Sequence, residues 1–162
     1  MIFLTVGTQM FQFDRLLKAV DELIDQNIIQ ETVIAQSGYS TYVPRNFRAD
    51  PFLEPEEFKH LVESCDLLIT HGGVSTILTG LSAQKKMVVV PRKKVYFEHV
   101  DDHQEEIAAK FEELRDICVC RNVDELSSCY HRARNSTQLP SQVRLYFSNT
   151  TKFVNRILEE LG

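Results

Sequence analysis

No stretch of this 162-residue chain approaches the ~18 consecutive apolar residues of a membrane-spanning helix. Its opening, Met1-Ile2-Phe3-Leu4-Thr5-Val6, lacks the basic start and long apolar core of a secretory signal and reads as a first β-strand. A cytoplasmic location is expected, with any membrane contact made through a partner. Excess positive charge is also missing. Eighteen Lys and Arg against 23 Asp and Glu leave a net charge of −5, which argues against a nucleic-acid partner. The cysteines Cys65, Cys118, Cys120 and Cys129 form no Cys-x-x-Cys pair and no zinc-site spacing, so they read as free core thiols of a reducing compartment. Several chemistries lack their signatures. Val6-Gly7-Thr8-Gln9 is not the Gly-x-Gly-x-x-Gly of a dinucleotide fold, and no Gly-x-x-x-x-Gly-Lys-Ser/Thr or Gly-x-Ser-x-Gly occurs. No Asp-x-Asp occurs either, so a metal-bridged diphosphate of that kind is not indicated.

What is present is a regular alternation of apolar and helical segments, without internal repeats or low-complexity tracts. Strands are expected at 2–6, 32–36, 66–70, 87–90 and 117–120, with a short one within 47–52. Helices are expected at 13–28, 54–64, 75–83, 102–114 and 123–134, and a last one from about 141 to 161. Phe13, Leu16, Leu17, Val20, Leu23 and Ile24 recur at helical spacing, and Pro55 with Glu56 and Glu57 suits a helix N-terminus. Strands alternating with helices imply one Rossmann-like α/β domain over residues 1–162, an open parallel sheet with helices on both faces. The continuous runs Leu67-Leu68-Ile69 and Met87-Val88-Val89-Val90 suit strands covered on both sides. The basic residues Lys85, Lys86, Arg92, Lys93 and Lys94 read as the solvated border of that last strand, or as an attraction for an anionic substrate.

The most telling segment is Thr70-His71-Gly72-Gly73-Val74-Ser75-Thr76, a strand end, a glycine pair and a helix start. Such a turn brings backbone close to an anion and points the first helical N–H groups at it. The C-terminal edge of the sheet should gather three more segments: Gly7-Thr8-Gln9, Gln36-Ser37-Gly38-Tyr39, and 98–104 with His99, Asp101, Asp102, His103 and Gln104. His99 and His103 stand four apart, so a metal site with Asp101 and Asp102 is one reading, and helix capping by an Asp is the other.

Val6-Gly7-Thr8, the His71-Gly72-Gly73-Val74-Ser75-Thr76 turn, Val90-Pro91 and Asp102-His103-Gln104, in this order, resemble the C-terminal donor-binding domain of glycosyltransferase family 28, half of a GT-B enzyme. The likeness is to its short stand-alone members: the small catalytic subunits of two-part UDP-GlcNAc transferases and the bacterial PssE-like polysaccharide glycosyltransferases. The resemblance implies metal-free, inverting transfer from a UDP-sugar, with no cofactor beyond that donor. It implies a diphosphate held by His71, Gly72, Gly73, Ser75 and Thr76, sugar hydroxyls faced by Asp102, His103 and Gln104, and a cleft lined by Gly7 and Thr8. Gln36, Ser37 and Gly38 join this donor-binding set from the second loop. The family pattern often carries a ribose-binding Glu where Thr79 stands here, and a Gly where Ser75 stands. Thr offers one hydroxyl in place of a bidentate carboxylate. The resemblance further implies a membrane-anchored acceptor-side subunit as partner and a lipid-linked acceptor. A non-catalytic nucleotide-sugar-binding or regulatory module is the alternative, and a metal-dependent hydrolase built on His99, Asp102 and His103 a more distant one.

Overall fold

Six parallel strands form one sheet in the order β3-β2-β1-β4-β5-β6 in the computed structural model, which describes residues 1–112 and 117–136. The strands are β1 (Ile2–Thr5), β2 (Val33–Gln36), β3 (Arg48–Asp50), β4 (Leu67–His71), β5 (Lys86–Val90) and β6 (Ile117–Val119). The helices are α1 (Asp14–Asp25), α2 (Pro55–Ser64), α3 (Val74–Ser82), α4 (His103–Glu112) and α5 (Leu126–Asn135). Short 3₁₀ turns occupy Lys94–Tyr96 and Val123–Glu125. Rossmann-like α/β architecture is therefore what the alternation of segments implied. The last helix expected at 141–161 lies outside the described residues.

The period-2 geometry of strands sorts the apolar residues into two layers. Ile2, Leu4, Leu67, Ile69, Val88 and Val90 face one way, against Leu16, Leu17 and Val20 of α1 and Leu126, Cys129 and Ala133 of α5. Phe3, Leu68, Met87 and Val89 face the other way, against Leu61 and Val62 of α2, Ile77 and Leu81 of α3, and Ile107, Ala108 and Phe111 of α4. A fully buried Leu, Ile or Phe contributes about 1.5–3 kcal/mol. Burial on both faces is why the central strands read as unbroken apolar runs.

The cysteines are free and buried. Cys118, Cys120 and Cys129 share the first layer, and Cys65 lies in the second. The basic border of β5 departs from expectation. Arg92 is fully buried, Lys85 Nζ donates to the carbonyls of Glu63 and Cys65, Lys86 Nζ donates to that of Arg134, and Lys93 pairs with Glu105 at 3.1 Å. Only Lys94 of the five is an exposed side chain, so a solvated charge border is the wrong description of this segment. Residues 92–100 were short of helical or strand pattern because they fold around Arg92 and Glu98, both fully buried.

Candidate functional site

The strand order reverses between β1 and β4, whose crossovers leave in opposite directions along the sheet. Open α/β sheets bind ligands in the crevice at such a point, beyond the C-terminal strand ends. Gly7 stands just past β1, and His71 is the last residue of β4. The His71 imidazole is 7% exposed and lies between two glycines. A Cβ on Gly7 would stand 2.5 Å from His71 Cε1, and one on Gly73 would stand 2.2 Å from Nε2. Gly7 also has φ +79°, in the left-handed region that favours glycine.

Burial first, then the Arg92 charge and to a smaller extent that of His99, push the His71 pKa down to about 3, against a hydrogen bond with the Thr5 backbone that acts in the opposite direction. The ring is therefore neutral near pH 7, with one N–H donor and one acceptor nitrogen. Its Nδ1 lies 3.3 Å from Thr70 Oγ1. The site offers a hydrogen-bonding imidazole, and no imidazolium charge.

Beyond it, α3 starts at Gly73, whose carbonyl accepts the Ile77 N–H at 3.1 Å. No side chain caps this end. The N–H groups of Val74, Ser75 and Thr76 precede the first intrahelical bond, which makes this terminus suited to an anion. The Ser75 side chain is exposed and that of Thr76 half-buried. The Thr79 hydroxyl donates to the Ser75 carbonyl at 2.9 Å, so its proton is used within the helix.

Gln104 is 4% exposed, and its Oε1 accepts both the Gly72 N–H and the Arg92 N–H at 3.1 Å. One carbonyl oxygen thus ties the exit of β4 to the exit of β5. Gln104→Ala removes the acceptor of two buried donors, at about 1–3 kcal/mol for each group left unpaired. Urea denaturation should show a loss of that size. An unchanged urea midpoint would contradict the bridging role.

The other expected residues divide into rim and support. Asp102 and Thr8 are exposed, and His103 is half-buried with Nδ1 3.4 Å from Glu106. Asp102 Oδ1 accepts the Lys94 N–H at 2.8 Å. Gln36 is buried and braces the floor: Nε2 donates to Thr5 Oγ1, and Oε1 accepts the Leu53 N–H, both at 3.3 Å. Ser37 is buried, and its N–H donates to the Asp50 carbonyl. Gly38 packs on the first loop, where its Cβ would stand 2.6 Å from Gly7 O. Gly38, Gly7, His71 and Gly73 thus form one chain of close contacts, which Gln104 extends through Gly72.

His99 precedes α4, and its Nδ1 lies 2.8 Å from Asp101 Oδ1, which also accepts the His103 N–H at 3.1 Å. The carboxylate of Asp101 caps the helix start. Among the described residues no three His, Cys, Asp or Glu side chains are grouped as a metal ion would require.

Arg92, Glu98 and Arg15 shape this site, and sequence reasoning missed them as a unit. The Glu98 carboxylate receives Arg15 through two bonds of 2.8 Å and the Lys93 N–H at 3.0 Å. Arg15 is 77 positions from Arg92 and 83 from Glu98, so no local spacing links them. The one hint was a cation directly after the apolar strand and Pro91.

Comparison with known proteins bears on the family and the fold. The chain is 28% identical over 152 residues to the human UDP-N-acetylglucosamine transferase subunit ALG13, covering 87% of this chain and 12% of that protein. It is 35% identical over 78 residues to the ALG13 subunit of Eremothecium gossypii, covering 48% of this chain and 36% of that one. The chain thus spans well under half the length of these curated relatives. Among solved structures, the glycotransferase of kitacinnamycin superposes with a TM-score of 0.68 at 17% identity, over 99% of this chain and 43% of that one. The solution structure of ALG13 superposes with a TM-score of 0.56 at 21% identity, over 89% and 93%. At such identities the structural likeness establishes the fold. The sequence profile of the glycosyltransferase family 28 C-terminal domain matches residues 1–151, and the chain belongs to that family.

Proposed function

We propose that this chain is the donor-binding subunit of an inverting glycosyltransferase, which moves a sugar from a UDP-sugar to a lipid-linked acceptor together with a membrane-anchored acceptor-side subunit. One observation carries the reading: the uncapped N-terminus of α3, with a buried neutral imidazole beside it, at the point where the strand order reverses. The departing diphosphate gains negative charge as the sugar bond breaks. Oriented N–H groups meet that charge without reorganising, which is where electrostatic catalysis gains most. The partial positive charge of the helix end adds to them. The His71 ring supplies a directional hydrogen bond and adds no charge that would hold the product. In this proposal His71, Gly72, Gly73, Ser75 and Thr76 take the diphosphate, Thr79 lies along the same helix toward the ribose, and Asp102, His103 and Gln104 form the sugar side.

Among the described residues no helix is long and apolar enough to cross a membrane. The names of the ALG13 relatives, subunits of a UDP-N-acetylglucosamine transferase, support a transferase that works with a second subunit. The purified chain alone is expected to transfer little radiolabelled sugar from a UDP-sugar to membrane acceptor, and co-expression with the membrane subunit is expected to restore transfer, in EDTA as well as without it. Full turnover by the chain alone, in a preparation free of other proteins, would overturn the two-subunit reading. UDP binding with no transfer under any pairing would favour a non-catalytic nucleotide-sugar-binding module, the reading to which the engaged Thr79 hydroxyl lends some support.

A further inference from the structure

Arg92 is fully buried immediately after β5 and Pro91. Its Nη1 donates to the carbonyls of Phe11, Gln12 and Glu98 at 3.1, 3.0 and 3.0 Å, and its Nη2 to that of Val6 at 2.6 Å. The guanidinium carbon lies 5.0 Å from the centre of the Phe13 ring. These acceptors come from the exit of β1, the loop between β1 and α1, and the loop between β5 and α4. The Arg92 backbone N–H shares Gln104 Oε1 with Gly72, so the same residue also reaches the His71 turn. Its Nε–H has no partner among the described residues. The buried carboxylate nearest in sequence, Glu98, makes its direct ion pair with Arg15, while its charge also favours the Arg92 cation. A buried cation answered by carbonyls is costly to desolvate, and a well-packed apolar side chain would fill the space at less cost. Simple stability is a poor account of this residue.

We infer that Arg92 is a positioning residue for the donor site: without touching the donor, its guanidinium fixes the loop after β1 and the loop before α4 against the His71 turn. The inference rests on the reading of that turn as the diphosphate site. The fork geometry is essential, because the acceptors diverge from two nitrogens of one plane. A lysine keeps the charge and loses the fork. A methionine loses both.

The test uses the full chain with Arg92→Lys and Arg92→Met. UDP affinity is read by calorimetry, and His71 protonation by NMR of labelled imidazole. The charged groups acting on that ring are Arg92 and His99, with Gly7, Gly73 and Thr70 as its neutral neighbours. Arg92→Lys should fold and bind UDP at least about tenfold more weakly. Arg92→Met should raise the His71 midpoint, and Arg92→Lys should leave it low. Lower thermal stability with wild-type UDP affinity and an unmoved His71 midpoint would overturn the inference. If Arg92→Met fails to fold, UDP affinity of Arg92→Lys decides alone. If the wild-type chain binds no UDP, the donor reading fails by itself, an outcome distinct from wild-type UDP binding that Arg92→Lys leaves unchanged.

Discussion

Gly73→Ala is expected to reduce UDP affinity at least about a hundredfold, or about 2.7 kcal/mol, with the sheet intact. Gly73 has φ −75° and ψ 123°, values that alanine adopts freely, so backbone strain is not the cause. The cause is the imidazole. The new methyl would lie 2.2 Å from His71 Nε2 and 3.0 Å from Cδ2 and Cε1. The ring also lies close against Gly7, where an added Cβ would stand 2.5 Å from Cε1, so it already fills the space that both glycines leave open. Either the ring leaves its slot or the turn opens, and both separate His71 from the start of α3. Calorimetry with UDP, beside circular dichroism for the fold, checks this. A folded Gly73→Ala protein with wild-type affinity would show that the ring and the helix end do not act together on a diphosphate.

Acid should destabilise the chain over a window set by the same ring. His71 has an ordinary pKa of 6.5 when unfolded and about 3 when folded, because burial and then the Arg92 charge disfavour protonation. The unfolded chain therefore binds the extra proton between those values, so stability rises with pH across the window. The contribution is complete above pH 6.5 and is lost as the pH falls toward 3. Each unit of separation corresponds to about 1.4 kcal/mol, so the total reaches several kcal/mol. Urea midpoints at pH 7 and pH 4.5 should differ strongly in the wild type and much less in His71→Gln. Equal pH slopes in the two proteins would rule His71 out as the source. Asp21 acts in a lower window. Burial raises its pKa, but the Arg45 N–H, the Tyr42 hydroxyl and the Asn46 N–H outweigh burial and hold it below 3.8. Its contribution is fully present above that value and is lost only in stronger acid.

The sequence made the sheet and the His71 turn legible, because both are written locally. Leu67 to Ile69 and Met87 to Val90 are unbroken apolar runs, and Gly72-Gly73 sits directly between a strand and a helix start. Element ends moved by a few residues at most; α1 ends at Asp25, short of the expected Ile28. Less legible was the difference between residues that line the cleft and residues that hold it. Gln36 and Gln104 sit in polar segments and read as ligand contacts, yet their carbonyl oxygens accept backbone N–H groups across 17, 32 and 12 positions. Arg92 read as a surface charge for the same reason. Its acceptors at Val6, Phe11 and Gln12 are more than 75 residues away and are main-chain carbonyls, which leave no mark on side-chain pattern.

The shared oxygen of Gln104 bears on how donor choice can be re-engineered. The proposed function places position 104 on the sugar side of the cleft, so it invites substitution by anyone seeking a different hexose. Its amide also sets the phosphate turn and the exit of β5, so exchange there alters grip and selectivity together and hides the second behind the first. Thr8 and Asp102 are exposed at the rim. Under the proposed function a library at Thr8 can vary what the donor meets while the turn beneath stays as it is, whereas Asp102 also holds the Lys94 N–H.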